Sequence, residues 1–189
     1  RKLCKARLLG LGYGCGWQKF IEVAKSYGVS MTEAEARKQV LLYRAQNPDV
    51  MSAWNKMEDQ FREWMKDTPE CITFTTLYDS PVSYFNAHEK DRDLYASTVR
   101  GYEPVKIYGA RLFQNMVQAT ARQIFADALM RIEDAGLPIC LHVHDSVTVE
   151  VAENEGQAAL DLLIQLLTKE PDVMPGLPLA AEGEIKTHY

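Results

Sequence analysis

The sequence is poor in the features that would classify it at a glance. Its four cysteines, Cys4, Cys15, Cys71 and Cys140, form no Cys-x-x-Cys pair, and a chain of 189 residues is no disulfide-stapled miniature. Reduced thiols in a cytoplasmic compartment are therefore expected. No apolar run approaches the ~20 residues of a membrane span, no secretory signal opens the chain, and neither a repeat period nor a low-complexity segment is present. The phosphate-cradling loop of Walker type is missing as well. Overall positive charge is lacking too: a net charge of -5 excludes a generally basic nucleic-acid coat protein. It does not exclude nucleic-acid contact, which local patches decide. What is left, 47% hydrophobic and 25% charged residues, is ordinary for a globular chain with a sizeable core, either one domain or a piece of something larger.

The most informative stretch is the first sixteen residues, where Arg1, Lys2, Lys5 and Arg7 gather four cations ahead of Gly10, Gly12, Gly14 and Gly16. A helical period of 3.6 puts Arg1, Lys5, Leu9 and Tyr13 on one stripe: two cations, an apolar group, an aromatic ring. That order suits a nucleotide lying along the helix, with phosphates at the cationic end and the base near the ring. The glycines would stop the helix and leave room for a flat ligand or another backbone. Spacing alone describes a solvated helix face equally well.

Downstream, Trp17 to Tyr27 reads as a short amphipathic helix stopped by Gly28. Thr32-x-x-Glu35 is a capping box opening a helix through about Ala45. Asn47-Pro48 restarts the chain as N-cap and first helical residue. Trp54, Met57, Phe61 and Trp64 then recur at helical spacing, a stripe expected to be core. From residue 72 the pattern changes to period two: 72–77 and 82–85 read as a hairpin around Asp79-Ser80-Pro81. The charged run 88–93 reads as a solvated loop, and 95–99 with 105–108 as a second, weaker hairpin.

Residues 109–136 form the best helix pattern, apolar at Leu112, Met116, Ile124, Met130 and Ile132, with a polar strip at Arg111, Gln114, Asn115, Gln118 and Arg122. Such a strip either faces solvent or donates to minor-groove acceptors, which look alike for all base pairs. Next comes a strand, a polar tip at His144-Asp145-Ser146, and a strand with Val147, Val149 and Val151 on one face. A carboxylate at a tight turn suits a hard divalent cation, although an Asp there is commonly a turn former. The pair His142 and His144 beside Asp145 also admits a zinc-type hydrolase site. A leucine-rich helix over 154–169 follows, and prolines at 171, 175 and 178 break it.

The string Arg1-x3-Lys5-x3-Leu9-Gly10-x2-Tyr13-Gly14 resembles the fingers-helix motif of family A DNA polymerases, whose usual form carries Phe or Tyr where Leu9 stands. The helix bearing Asn115 and Gln118 resembles the one preceding the family's last motif. Val143-His144-Asp145 resembles that last palm motif, usually His-Asp-Glu, with Ser146 in place of the Glu. Residues 176–184 resemble the closing strand of phage-type members. The resemblance implies an α+β chain: a helical fingers portion over 1–70 followed by the C-terminal part of an antiparallel-sheet palm over 71–189. It implies template-directed DNA synthesis by two-metal phosphoryl transfer, with Asp145 holding two Mg²⁺ ions and Lys5 acting at the triphosphate. Arg1, Lys5, Leu9 and Tyr13 would bind the dNTP, and Arg111, Asn115, Gln118 and His144 the primer-template DNA.

The family's second carboxylate comes from an Asp-x-Ser-x-Ile-Glu string, and this sequence contains none; Asp79-Ser80 lacks the continuation. Because the chain opens at Arg1 inside a motif, its start is expected to be a truncation, a cleavage or a split-gene boundary. An N-terminal part of the polymerase, in the same or a separate chain, is the expected partner. A non-catalytic piece that binds DNA or dNTP and depends on another chain for catalysis is the alternative.

Overall fold

The computed structural model describes residues 1–187 and is an α+β structure of two compact units. One comprises residues 1–75 and 81–117, the other residues 76–80 and the chain from Gln118 onward. The division falls within a long helix, and the helices and the sheet that follows them share one unit.

The first unit begins with α1 (Lys2–Ala6), which passes directly into a π turn over Arg7–Leu11. There the Gly12 amide reaches back five residues to the Arg7 carbonyl at 3.3 Å. Helix α2 (Trp17–Ser26) ends where expected, by a mechanism visible in its bonds: the Gly28 amide donates to the Lys25 carbonyl and that of Val29 to Ala24, both at 2.9 Å. This paired closure needs a left-handed residue, and Gly28 supplies φ +72°. Helix α3 (Glu33–Gln46) starts at the expected capping box, with the Glu35 amide donating to Thr32 Oγ1 and the Thr32 amide to Glu35 Oε2. That bond holds the Glu35 carboxyl below its ordinary pKa. Ala6, Leu11, Phe20, Ala24, Ala36 and Val40 form the core of this helical part.

Helix α4 (Pro48–Asp67) has Pro48 in its first turn and Asn47 at its N-cap, but the Asn47 side chain does not cap it. It donates backward to the Tyr43 carbonyl at 2.7 Å, closing α3 instead. The expected aromatic stripe is core: Phe61 meets Tyr84 edge to face at 5.6 Å, and Trp64 lies 5.0 Å from Phe74.

Those partners belong to β1 (Cys71–Thr75), β2 (Pro81–Lys90), β3 (Asp93–Ser97) and β4 (Val105–Ile107), one antiparallel meander in that order where two separate hairpins were expected. The charged run is not a loop. Residues 88–90 complete β2, and Lys90 pairs with Asp93 across a two-residue turn, Asp91 and Arg92, with φ of 53° and 68°. Two positive φ angles match the right-handed twist of the flanking strands. Composition concealed the strand because Glu89 faces the covered side, where Arg62 of α4 meets it at 3.2 Å. A bulge at Asn86, φ 53°, keeps the alternation in phase so that Tyr84 and Ala87 are both buried.

Helix α5 (Gly109–Asp134) contributes Leu112 to the first unit's core and Ala128 and Ile132 to the second unit. Its end repeats the paired closure, Gly136 to Glu133 and Leu137 to Ile132, with Gly136 at φ +80°. In the second unit β5 (Ile139–Val143) and β6 (Ser146–Val149) form a ribbon, followed by a 3₁₀ turn (Glu153–Glu155) and α6 (Gly156–Leu167). Val147, Val149 and Val151 share a face against Ile132, Leu137 and the α6 leucines, as their alternation requires. The strand expected over 176–184 does not form. At Gly183 a Cβ would sit 2.5 Å from the Leu160 side chain, so this part of the segment lies against α6.

Candidate functional site

In the first unit Arg1 and Lys5 are both exposed, and among the described residues no ion pair engages either of them. Leu9 is 48% exposed and Tyr13 half-buried. The π turn alters the stripe drawn on a uniform 3.6 period. It leaves Leu8 even more open than Leu9, at 65%, so the apolar group beside the cations is a pair of leucines. A uniform period already puts positions 8 and 9 together on that face, and both leucines are exposed. Single π turns are uncommon and gather at functional sites. Arg7, the fourth cation, is committed elsewhere: its guanidinium donates to Gln46 Oε1 of α3 at 2.8 Å.

Of the two uses expected for the glycines, the structure shows the close approach of neighbouring chain at three of them. A Cβ on Gly10 would lie 3.2 Å from both Phe20 and Val23, so this glycine lets α2 approach the π turn. On Gly12 it would lie 2.4 Å from the Leu8 carbonyl oxygen. Gly14, at φ +75°, has Ala110 against the place its Cβ would take. Neighbouring helix and backbone account for Gly10, Gly12 and Gly14, while Gly16 is exposed with only the Gln18 side chain near.

On α5 two members of the polar strip are pinned inside the first unit. Arg111 donates to the Lys106 carbonyl at 2.6 Å and its guanidinium lies 5.5 Å from the Tyr108 ring centre. Asn115 donates from Nδ2 to the Tyr84 hydroxyl at 2.9 Å. Burial raises the Tyr84 phenol above its ordinary pKa, and the Asn115 bond opposes the shift. Gln118 and Arg122 are exposed on the second unit's part of the helix.

The second unit presents Asp145 at the tip of the β5–β6 ribbon. Val143 pairs with Ser146, leaving His144 and Asp145 as a two-residue loop with both side chains exposed. His144 adopts φ 56°, a conformation that His tolerates better than most residues. Ser146, where a Glu was the usual residue of the resembled motif, donates from Oγ to the Val143 carbonyl at 2.8 Å and so closes the turn beneath Asp145. His142 sits back on β5, its ring 6.4 Å from that of Phe125. Among the described residues no three of His, Cys, Asp and Glu converge into a metal-holding group, so His142, His144 and Asp145 do not make the zinc-type site considered from their spacing. Asp145 is one rigidly placed carboxylate, and one carboxylate does not complete a two-ion centre.

A class emerges when the chain is compared with known proteins: it is related to a DNA polymerase along its entire length. That relative is the DNA polymerase of Bacillus phage SP02, 26% identical over 212 aligned positions that take in the whole of this chain. This chain spans 32% of the relative's length. No family model matches the sequence. Among the described residues no helix is long and apolar enough to cross a membrane.

Proposed function

We propose that this chain is the C-terminal, fingers-and-palm part of a family A DNA polymerase, and that it contributes to transfer of a deoxynucleotidyl group from a dNTP to a primer 3′-hydroxyl. The observation that carries the reading is the pairing of a likeness to part of a polymerase, running along the whole of this chain, with two exposed elements: Arg1 and Lys5, which no ion pair engages among the described residues, and the Asp145 turn. Phosphoryl transfer asks the protein chiefly to position and neutralise. Lys5 offers a compact charge to the triphosphate and Arg1 a two-pronged one. Leu8 and Leu9 give the sugar an apolar surface, and Tyr13 lies at the base end. Gln118 faces the primer-template duplex, with His144 at the primer terminus; Arg111 and Asn115 support that helix from below, by the bonds they already make.

Bound Mg²⁺ ions would supply charge neutralisation at the reacting phosphate. Among the described residues Asp145 is the carboxylate we assign to them, with further carboxylates supplied by an N-terminal part of the polymerase, in the same polypeptide or another. That no three metal-ligating side chains gather around Asp145 among the described residues supports this dependence. Primer extension by the complete polymerase tests the reading. Asp145→Asn should abolish extension while duplex binding persists, and an undiminished rate would move the metal site elsewhere.

A further inference from the structure

The four-stranded sheet has two unlike faces. One is covered: Ile72, Phe74, Tyr84, Ala87, Leu94, Ala96 and Ile107 pack beneath α4 and α5. The other carries an aromatic and cationic row that neither the fold nor the proposed chemistry uses. The register sets His88 opposite Tyr95 and Tyr95 opposite Lys106, one straight line across β2, β3 and β4. The His88 and Tyr95 rings are stacked, 5.7 Å apart and 17° from parallel. One step along, the Arg100 guanidinium lies 5.3 Å above the Phe85 ring. The loop bringing Arg100 there is tied at its base by the Ser97 hydroxyl, which donates to the Tyr102 carbonyl, and Tyr102 itself is 72% exposed.

Charge on this face has one sign in excess. Among its strand residues Asp93 is the single carboxylate; it bonds Lys106 at 2.6 Å and lies opposite Lys90 in the register. Two lysines therefore share one anion on the strands, and the loop after β3 brings Arg100 over Phe85 together with one carboxylate, Glu103. The rest of the face is neutral, Cys71, Thr73, Ser83 and Phe85, with a hydroxyl bond of 2.9 Å joining Thr73 to Ser83. Flat rings at strand spacing among surplus cations suit a polyanion with exposed planar groups. A duplex hides its bases, and an acidic peptide does not present a planar ring at every anionic unit as a single strand does.

We propose that this open face is a docking surface for single-stranded DNA, with bases stacking on the Tyr95–His88 pair and on the guanidinium-capped Phe85, and phosphates beside Lys90 and Lys106. Each stacked base contributes enough that losing one ring weakens binding by about tenfold or more. Because the surplus charge is small, the salt dependence should be shallow. The inference rests on the polymerase reading for the relevance of DNA, but its residues are separate from α1 and Asp145.

The test compares fluorescein-labelled oligothymidylate with a blunt duplex, by anisotropy, on the full chain and on Tyr95→Leu, Phe85→Leu and the exposed-site variants His88→Ala and Arg100→Ala. Expected is a loss of about tenfold for the single strand in the ring variants, with duplex affinity unchanged. Photo-cross-linking of a bromodeoxyuridine oligonucleotide to the unaltered chain should map to peptides holding residues 85–100, which keeps the question open to decision if a ring variant fails to fold. Unchanged single-strand affinity in folded variants, or cross-links confined to other segments, would overturn the proposal. So would a dimer that dissociates in Tyr95→Leu while no oligonucleotide binds, since the occupant would then be a second copy. Loss of extension in Asp145→Asn leaves these outcomes untouched, and failure here leaves the catalytic reading untouched.

Discussion

Replacing Lys5 with Ala isolates what the cationic stripe contributes. Lys5 is exposed and, among the described residues, no ion pair engages it, so the folded chain loses nothing specific when the ammonium goes. A surface change of this kind alters stability by no more than about 0.5 kcal/mol. The ligand feels the change instead. A hydrogen bond to a charged group contributes about 1.5–3 kcal/mol, and 1.4 kcal/mol is tenfold in affinity, so nucleotide dependence should weaken by about 10- to 150-fold. Exposure and salt screening push the effect toward the lower end, and it should shrink further as ionic strength rises. Single-turnover incorporation over a range of dNTP concentrations in the complete polymerase measures the nucleotide term, a duplex-binding titration the DNA term, and thermal unfolding the stability. An unchanged nucleotide dependence with weakened duplex affinity would show that Lys5 contacts the DNA backbone and that the stripe does not hold the triphosphate.

Leu9→Phe should speed incorporation and Leu9→Tyr relax discrimination against dideoxynucleotides, since a flat ring packs on a sugar as a branched side chain does not; equal dideoxy-to-deoxy selectivity for Leu, Phe and Tyr would refute this. Ile132→Ala, at a fully buried position of the second unit, should cost about 2–5 kcal/mol in urea unfolding, and a cost under about 1 kcal/mol would mean that the site collapses freely. Tyr84 predicts an alkaline limb. Burial raises its folded-state pKa, so its contribution is intact below the unfolded value of about 10 and is lost as pH climbs from there through the raised value. Tyr84→Phe should flatten that part of the stability profile, and an unaltered slope would assign it to another group.

Local signals carried much of this structure. The Thr32–Glu35 box, the stops at Gly28 and Gly136 and the aromatic stripe of α4 were legible because each depends on side chains a few residues apart. The meander was misread where a partner far along the chain decides the outcome: Glu89 looks solvated until Arg62 is brought to it. The π turn escaped because one regular period was assumed across Arg7–Leu11. Asp145 was legible as a turn residue, and the role of Ser146 in fastening that turn was not, since its acceptor is a backbone carbonyl. The expected final strand failed for a related reason, its contacts being with Leu160 on α6.

The central claim is that this chain supplies Asp145 to a metal centre it cannot complete alone. Primer extension measured on the purified chain, on the chain joined by an N-terminal polymerase part bearing the missing carboxylates, and on that assembly with Asp145→Asn puts the claim to one assay. The account predicts no extension in the first case, extension in the second and none in the third, because one carboxylate leaves two dications without the anionic ligands they need to stay close together. Robust extension by the purified chain, or full activity with Asp145→Asn, would contradict it.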